Sequence, residues 1–202
     1  MTLRVTGLAL LISTLLGTPV GAALGLGRVP ARWLVTTLIY TGIGLPPVVV
    51  GLFFFLLLSR SGPLGELGWL FRPPAMIVAQ VAISLPVVVG LTMTAVESVD
   101  PALGLQVRAL GATRRQTALA VLLEARRGVV SAIVAAFGSI ISEVGAVMIV
   151  GGNIEGQTRV LTTAIVLETG KGDFTLAMAL GMVLLGLAFG ANLLLLRLQN
   201  RP

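Results

Sequence analysis

The chain has 202 residues, of which 56% are apolar and only 11% are charged, and its formal net charge is +6 at pH 7. Soluble domains contain about 45–50% apolar residues, with glycine counted among them, and about 25% charged residues. Together with a mean hydropathy of +1.02, this composition excludes a soluble fold, which could not bury so much apolar surface. It predicts a single integral membrane domain over residues 1–202.

Cysteine and histidine are both absent from the chain. Their absence excludes disulfides, thiolate and imidazole metal sites, and Ser–His or Cys–His nucleophile pairs. The only Gly-Lys pair, Gly170-Lys171, is followed by Gly172, where a phosphate-binding loop needs serine or threonine. We therefore expect no enzyme activity and no cofactor in this chain. Its basic residues lie between apolar runs, which indicates membrane topology and not a nucleic-acid partner.

Five apolar stretches are each long enough to cross about 30 Å of hydrocarbon as a helix that rises roughly 1.5 Å per residue. They predict an all-α integral membrane protein with about five transmembrane helices, at residues 5–27, 33–59, 73–96, 128–150 and 174–196. Pro46 and Pro47 interrupt the second stretch and should bend it, because proline removes backbone donors. The alternative role of these prolines is to line a path, since helix breaks are tolerated beside a cavity.

The first stretch carries Gly17, Gly21 and Gly25 at every fourth position. This spacing places the glycines on one helix face, where a second helix can approach closely, although chance in a glycine-rich chain also produces such pairs. The same stretch resembles a signal peptide in its order of residues. It is long for a signal peptide, and we interpret it as a span.

The distribution of basic residues predicts the orientation, because cytoplasmic loops of membrane proteins are rich in Lys and Arg. With five spans, one side holds nine basic residues, namely Arg28, Arg32, Arg108, Arg114, Arg115, Arg126, Arg127, Arg197 and Arg201. The other side holds five, namely Arg4, Arg60, Arg72, Arg159 and Lys171. We therefore expect the loop 97–127 and the C-terminus to face the cytoplasm and the N-terminus to lie outside.

The long loop 97–127 predicts a helix–turn–helix on the membrane surface. Asp100 followed by Pro101 is typical of an N-cap with proline at the first helical position. Gly111 should end this helix with a sharp turn, and Thr113 could cap a second helix. The apolar residues of the first helix recur at helical spacing at Leu103, Val107 and Leu110. Such a pair either rests on lipid headgroups or binds a soluble partner.

This loop resembles the cytoplasmic loop of ABC-type importer permeases. Gly111 matches the glycine of the family pattern, Val121 its isoleucine and Leu123 its leucine. Leu105 begins the tripeptide that replaces the family's Glu-Ala-Ala, and Glu124 replaces its proline. The resemblance implies that the loop couples to an ATP-binding subunit through Asp100, Leu105, Arg108, Gly111, Arg114, Val121 and Glu124.

A second segment, residues 141–159, resembles the oxyanion branch of these permeases. Molybdate permeases carry Glu-Phe-Gly-Ala and then Gly-Asn-Ile-Pro-Gly-Arg-Thr here. This chain carries Glu-Val-Gly-Ala from position 143 and Gly-Asn-Ile-Glu-Gly-Gln-Thr from position 152. The continuation to residue 174, together with residues 44–51 and 58–65, looks like the tungstate permeases in particular.

The resemblance implies a function and partners. The chain would be the permease subunit of an ATP-driven importer of tungstate, with molybdate as the alternative cargo, multi-pass in the inner (cytoplasmic) membrane. It would act as a homodimer with an ABC ATP-binding subunit, which hydrolyses ATP, and with an extracytoplasmic substrate-binding protein. The alternative is an ion-coupled secondary carrier for a small anion, with Glu143 as its proton site.

Physical arguments give candidate residues for the path or gate. Glu143 is the only charge inside a span, and it would cost a few kcal/mol or more unless paired, hydrated or protonated. A carboxylate repels a divalent oxyanion, so we expect Glu143 to hold a neighbouring backbone or an arginine, and lining the path is the alternative. Glycines after the fourth span predict a turn with positive φ, whose amides could bind an anion. The candidates are Pro46, Pro47, Glu143, Gly151, Gly152, Asn153, Thr158 and Arg159, with Thr162 and Thr163 as further donors.

Overall fold

The computed structural model describes residues 1–27 and 29–199, and this part of the chain forms α-helices and no β-strand. The helices are α1 (Thr2–Leu26), α2 (Arg32–Ile43), α3 (Pro47–Leu58), α4 (Pro73–Glu97), α5 (Pro101–Ala109), α6 (Arg114–Glu124), α7 (Arg126–Ile141), α8 (Gly145–Gly151), α9 (Leu161–Lys171) and α10 (Phe174–Gln199). A 3₁₀ turn at Gly65–Leu67 lies between α3 and α4. The predicted all-α fold is confirmed. Arg28 and Arg201, which the count of basic residues included, lie outside the described residues.

Helices α1 and α4 lie side by side and run in the same direction. The hydroxyl oxygens of Ser13 and Ser84 are 2.7 Å apart, and both side chains are fully buried. About two helical turns after Ser13, a Cβ added at Gly21 would lie 2.5 Å from the carbonyl oxygen of Val89 in α4. The other two glycines of this face approach α4 similarly closely. The predicted glycine face for close helix contact is therefore confirmed.

We expect Gly21→Leu to destabilise the protein by roughly 1–3 kcal/mol, the usual cost of overpacking. The reason is that no space separates Gly21 from the backbone of α4. The midpoint of thermal unfolding in detergent measures the change. Gly7→Leu is the matched control, because Gly7 in the same helix has open space around it. Equal losses in both variants would contradict the importance of this contact.

Two of the predicted spans are broken rather than continuous. Helices α2 and α3 meet at 95°, and α7 and α8 meet at 57°. The first break confirms the predicted bend, because Pro46 is extended (ψ 124°) and Pro47 begins a new helix. The second break corrects the prediction of one continuous helix over residues 128–150. It lies at residues 142–144, where the side chain of Glu143 caps the new helix by accepting the amide of Ala146 at 2.9 Å.

Both broken pairs nevertheless run from one end of α4 to the other. At the C-terminal end of α4, Glu97 pairs with Arg32 at the start of α2, and Ala95 packs against Gly128 in α7. Near the N-terminus of α4, the far ends of both pairs share one hydrophobic cluster that includes Met76, Leu58 and Val150. Helices α1, α4 and α10 are each long and apolar enough to span a membrane, and counting each bent pair as one span gives five. The chain is therefore a multi-pass membrane protein.

Helices α9 and α10 complete the bundle. Helix α9 begins beside the N-terminus of α1, where the amide of Leu161 donates to the hydroxyl of Thr2 at 3.0 Å. None of the 18-residue apolar window of α10 is buried within the described chain. Gly186 and Gly190 in α10 repeat the spacing of the α1 glycines but have open space around them. Helix α10 therefore presents its apolar surface outward, to lipid or to another subunit.

Candidate functional site

The predicted helix–turn–helix of the loop 97–127 is present as α5 and α6. The carboxylate of Asp100 accepts the amide of Ala102 at 2.8 Å and so caps α5. Thr113 and Gln116 form a reciprocal capping box at the start of α6. Between the helices, Gly111 has a φ of +89°. Both caps and the glycine turn are confirmed, and they hold α5 and α6 in one fixed arrangement.

One face of this helix pair is anchored and the other is free. Val121 is 7% exposed and packs in a cluster at the end of the bundle with Ala22, Val96 and Ala125. This residue, which matches the family pattern, therefore holds the pair to the bundle and is not available to a partner. Leu105 is 69% exposed. The charged candidates are exposed as well, namely Asp100, Arg108, Arg114 and Glu124.

Leu110 is a surface residue that the sequence pattern placed incorrectly. Its spacing grouped it with Leu103 and Val107 on the apolar face of α5, but the structure leaves it 89% exposed. Helix α5 ends at Ala109, so Leu110 belongs to the turn and no longer follows the helical phase. An apolar residue directly before a helix-ending glycine was the signal that could have identified it.

The two broken spans meet where their second halves begin. Val48, in the first turn of α3, contacts Gly145 at the start of α8, and Gly51 packs against Ala146. The half-helices α3 and α8 therefore begin side by side and run in the same direction. The linker 44–46 between α2 and α3 is exposed. Two adjacent spans are thus interrupted at one level, an arrangement that membrane transporters use where a path opens.

Glu143 lies at the second of these breaks and is 8% exposed. Its carboxylate accepts the amide of Ala146 at the N-terminal end of α8, where the helix dipole favours a negative charge. Its main-chain carbonyl accepts the hydroxyl of Thr162 at 3.0 Å, which ties α9 to the break. The side chain therefore holds the backbone of its own broken span. The expected partners, an arginine or the backbone of a neighbouring helix, are not the ones it contacts.

Gln80 in α4 is a residue of this region that the sequence analysis missed. It is 3% exposed, and its side-chain nitrogen donates to the carbonyl oxygen of Ile140 at 3.0 Å. This carbonyl lies in the last turn of α7, where it also accepts the amide of Glu143 at 3.4 Å. Gln80 therefore adds a second, shorter hydrogen bond to a backbone group at the helix end inside the bundle. A single amide side chain in an apolar span was the available signal.

The turn after α8 has the predicted positive φ angles, at Gly152, Asn153 and Gly156. Most of its amides are engaged inside the turn. Those of residues 157–159 donate to the carbonyl of Ile154, and the Ile154 amide donates to the hydroxyl of Thr158. Thr158 donates in turn to the carbonyl of Gly151, and the hydroxyls of Thr162 and Thr163 also bond main-chain carbonyls. The turn is confirmed, but these internal bonds argue against its use as an anion-binding nest.

Arg159 lies beside this turn and pairs with Glu155 at 3.2 Å. Both residues line a cavity of about 450 Å³ that also reaches Thr2. The Arg159 Nε is buried without a hydrogen-bond partner among the described residues. Because Glu155 neutralises the guanidinium, the pair gives this cavity no net positive charge. No cluster of acidic, His or Cys side chains in the described ranges could hold a metal ion.

Comparisons with known proteins point to membrane transport. Residues 17–201 match the family described as the binding-protein-dependent transport system inner membrane component. The chain is 46% identical over 206 residues to a probable anion ABC transporter permease protein of Haloferax volcanii, across 100% of this chain and 89% of that protein. It is 37% identical to the tungstate uptake system permease protein TupB of Peptoclostridium acidaminophilum, across 97% and 86% of the two chains. It is 28% identical to the molybdenum transport system permease protein ModB of Escherichia coli K12, across 86% and 80%.

Proposed function

The chain belongs to the family of inner membrane components of binding-protein-dependent transport systems, and we propose that it is the permease subunit of an ATP-driven importer of tungstate, with molybdate as the second candidate. The observation that carries this proposal is the capped and anchored helix pair α5–α6, which presents exposed leucines at one end of the bundle. The similarity to a tungstate permease over 97% of the chain supports an oxyanion as the cargo. The family match supports this function over an ion-coupled secondary carrier.

The proposed assembly contains two copies of this chain around one path. An ABC ATP-binding subunit binds each α5–α6 pair and hydrolyses ATP, and an extracytoplasmic binding protein delivers the anion at the opposite end. Only Ala125 separates α6 from α7, so movement of α5–α6 passes directly into the broken span α7–α8. Closure of the ATP-binding subunits would tilt α7 and change the break at Glu143, which gives alternating access.

We place the chain in the cytoplasmic membrane with α5–α6 on the inner side. With five spans, this end of the described chain holds seven basic residues, namely Arg32, Arg108, Arg114, Arg115, Arg126, Arg127 and Arg197. The opposite end holds five, namely Arg4, Arg60, Arg72, Arg159 and Lys171. An excess of basic residues is typical of the cytoplasmic surface.

Cysteines introduced at Gln106 and Gln157 should react with a membrane-impermeant thiol reagent from opposite sides of the membrane. Both positions are exposed, and the natural chain has no cysteine, so labelling reports the introduced residue alone. Gln157→Cys should label in right-side-out vesicles and Gln106→Cys in inverted vesicles. Labelling of both variants from one side would contradict the five-span arrangement.

Uptake of labelled tungstate and molybdate, with and without the ATP-binding subunit, tests the function itself. We expect cells with both subunits and the binding protein to accumulate tungstate, and cells without the ATP-binding subunit to lose this uptake. Accumulation that persists without the ATP-binding subunit and collapses with an uncoupler would favour a secondary carrier instead.

A further inference from the structure

A positively charged cavity lies at the end of the bundle opposite α5–α6. It has a volume of about 480 Å³ and lies between the end of α3 and the start of α4. Two of its lining residues are the arginines Arg60 and Arg72, and none is acidic. Glu66, the one acid of the same loop, lies outside the lining. The proposed transport function leaves the charge of this cavity unexplained.

The loop that carries both arginines, residues 59–72, has a well-defined backbone. The amide of Leu64 donates to the carbonyl of Leu57 at 3.0 Å, which folds the loop back onto α3. Two further turns are closed by hydrogen bonds from Gly62 to Ser59 and from Gly68 to Gly65. The backbone therefore holds both arginines at the walls of one cavity. When an anion binds between them, the entropic cost is therefore limited to ordering little more than the two side chains.

Phe71 connects this cavity to the broken span α8. It has a φ of +59°, which is unusual for a bulky residue, and its amide donates to the carbonyl of Val150 at 2.9 Å. Its ring lies against Gly152 and makes an edge contact with Phe55 at a centroid distance of 6.2 Å. A strained backbone persists only where surrounding contacts enforce it, and such residues cluster at functional sites. The wall beside Arg72 is thus fixed to the end of α8.

The two arginines have the chemistry of an oxyanion site. Neither forms an ion pair with a described residue, whereas Arg32 and Arg159 both do. A guanidinium stays charged at physiological pH and presents a planar fork of donors that fits two oxygens of an oxyanion. Two such groups at one concave surface attract a divalent anion and raise its local concentration. The N-terminal end of the long helix α4, directly after Arg72, adds a further positive potential.

We propose that the Arg60–Arg72 cavity binds a tetrahedral divalent oxyanion before the anion reaches the broken spans. This site rests on the proposed function, because it serves as the permease's own binding site between delivery and passage. It lies next to the end of α8, whose other end is the break at Glu143. An anion bound there would therefore already be positioned beside the half-helices that must move.

The test measures tungstate bound by the permease together with its ATP-binding subunit in nanodiscs, without any binding protein, by equilibrium dialysis. Arg60→Gln and Arg72→Gln should each weaken binding about tenfold or more, because each removes charge-assisted hydrogen bonds. The affinity of the natural protein should fall as salt is added, because both arginines are exposed. Arg4→Gln is the matched control, since Arg4 is exposed at the same end but does not line the cavity.

Three results would overturn the proposal. They are no tungstate binding by the natural protein, unchanged binding in the double variant that combines Arg60→Gln with Arg72→Gln, or an equal loss of binding in Arg4→Gln. If the double variant binds tungstate normally but no longer binds the binding protein, the arginines dock acidic side chains of that protein, and the anion site is wrong. The measurement needs neither uptake nor ATP hydrolysis. A chain that binds tungstate at these arginines but imports none would therefore support the site and refute the importer function.

Discussion

Gly111→Val should lower both tungstate uptake and binding of the ATP-binding subunit about tenfold, while the protein stays in the membrane. A left-handed backbone costs a residue with a side chain about 1–2 kcal/mol, and this cost corresponds to roughly five- to thirtyfold in the population of the turn. At Gly111 the φ is +89°, and the turn is closed by hydrogen bonds from its amide to Arg108 and from Ala112 to Val107. Opening this turn would displace the exposed Leu110. Uptake assays and co-purification with the ATP-binding subunit measure the two losses.

Gly111→Asn is the matched control, because asparagine adopts the left-handed conformation at little cost. It should keep most of the transport. No atom from outside the turn lies close to Gly111, so the valine acts on the backbone and not through a clash. Normal transport by Gly111→Val would show that this loop is not the coupling element. Equal losses in both variants would show that the partner needs the bare surface of the glycine and not its conformation.

The turn between α5 and α6 was predictable from the sequence because its interactions are local. Asp100 and Thr113 each cap a helix through groups only two or three residues away. The φ of Gly111 likewise depends on its immediate neighbours. The bend at Pro46 and Pro47 has the same local cause, since proline removes a donor wherever it stands. Local chemistry therefore fixes these elements without knowledge of the tertiary structure.

The break at residues 142–144 was not predictable in this way. No proline marks it, and Glu143 is the only charged residue in the stretch 128–150. Besides the local bond between Glu143 and Ala146, groups from distant parts of the chain stabilise the break, namely Gln80 in α4 and Thr162 in α9. Only the packed bundle brings these side chains to the exposed backbone groups, so the sequence predicted a continuous helix.

The cavity lined by Arg60 and Arg72 was likewise not predictable from the sequence. In the sequence they are isolated basic residues between apolar stretches, and they indicated only the orientation. Their common cavity arises because the loop between them folds back onto α3. Leu110 differs from them in one respect, since its exposure has a local cause in the end of α5 at Ala109.

Glu143→Ala should lower the stability of the protein by roughly 1–2 kcal/mol, in line with the loss of a helix cap. The carboxylate is the acceptor for the amide of Ala146, and inside the bundle little water is available to replace it. Because Ala146 also packs against Gly51, loss of the cap disturbs α3 together with α8. A change of about 1.4 kcal/mol shifts an equilibrium tenfold, here the one between the capped and the disturbed arrangement of α3 and α8. We therefore expect transport to fall about tenfold or more. The thermal unfolding midpoint in detergent and the uptake of tungstate measure the two effects.

Glu143→Gln separates the cap from the charge. The glutamine oxygen can still accept the amide of Ala146, so this variant should remain close to the natural protein in stability and keep much of the transport. Ser142→Ala is the matched control, because Ser142 is exposed and its hydroxyl bonds only carbonyls of α7.

If only Glu143→Ala loses stability and transport, the role of Glu143 is to cap α8. If the glutamine variant is as inactive as the alanine variant while both remain stable, the ionised carboxylate itself is required. That result would favour proton coupling over an ATP-driven permease, because a purely structural cap does not need the charge.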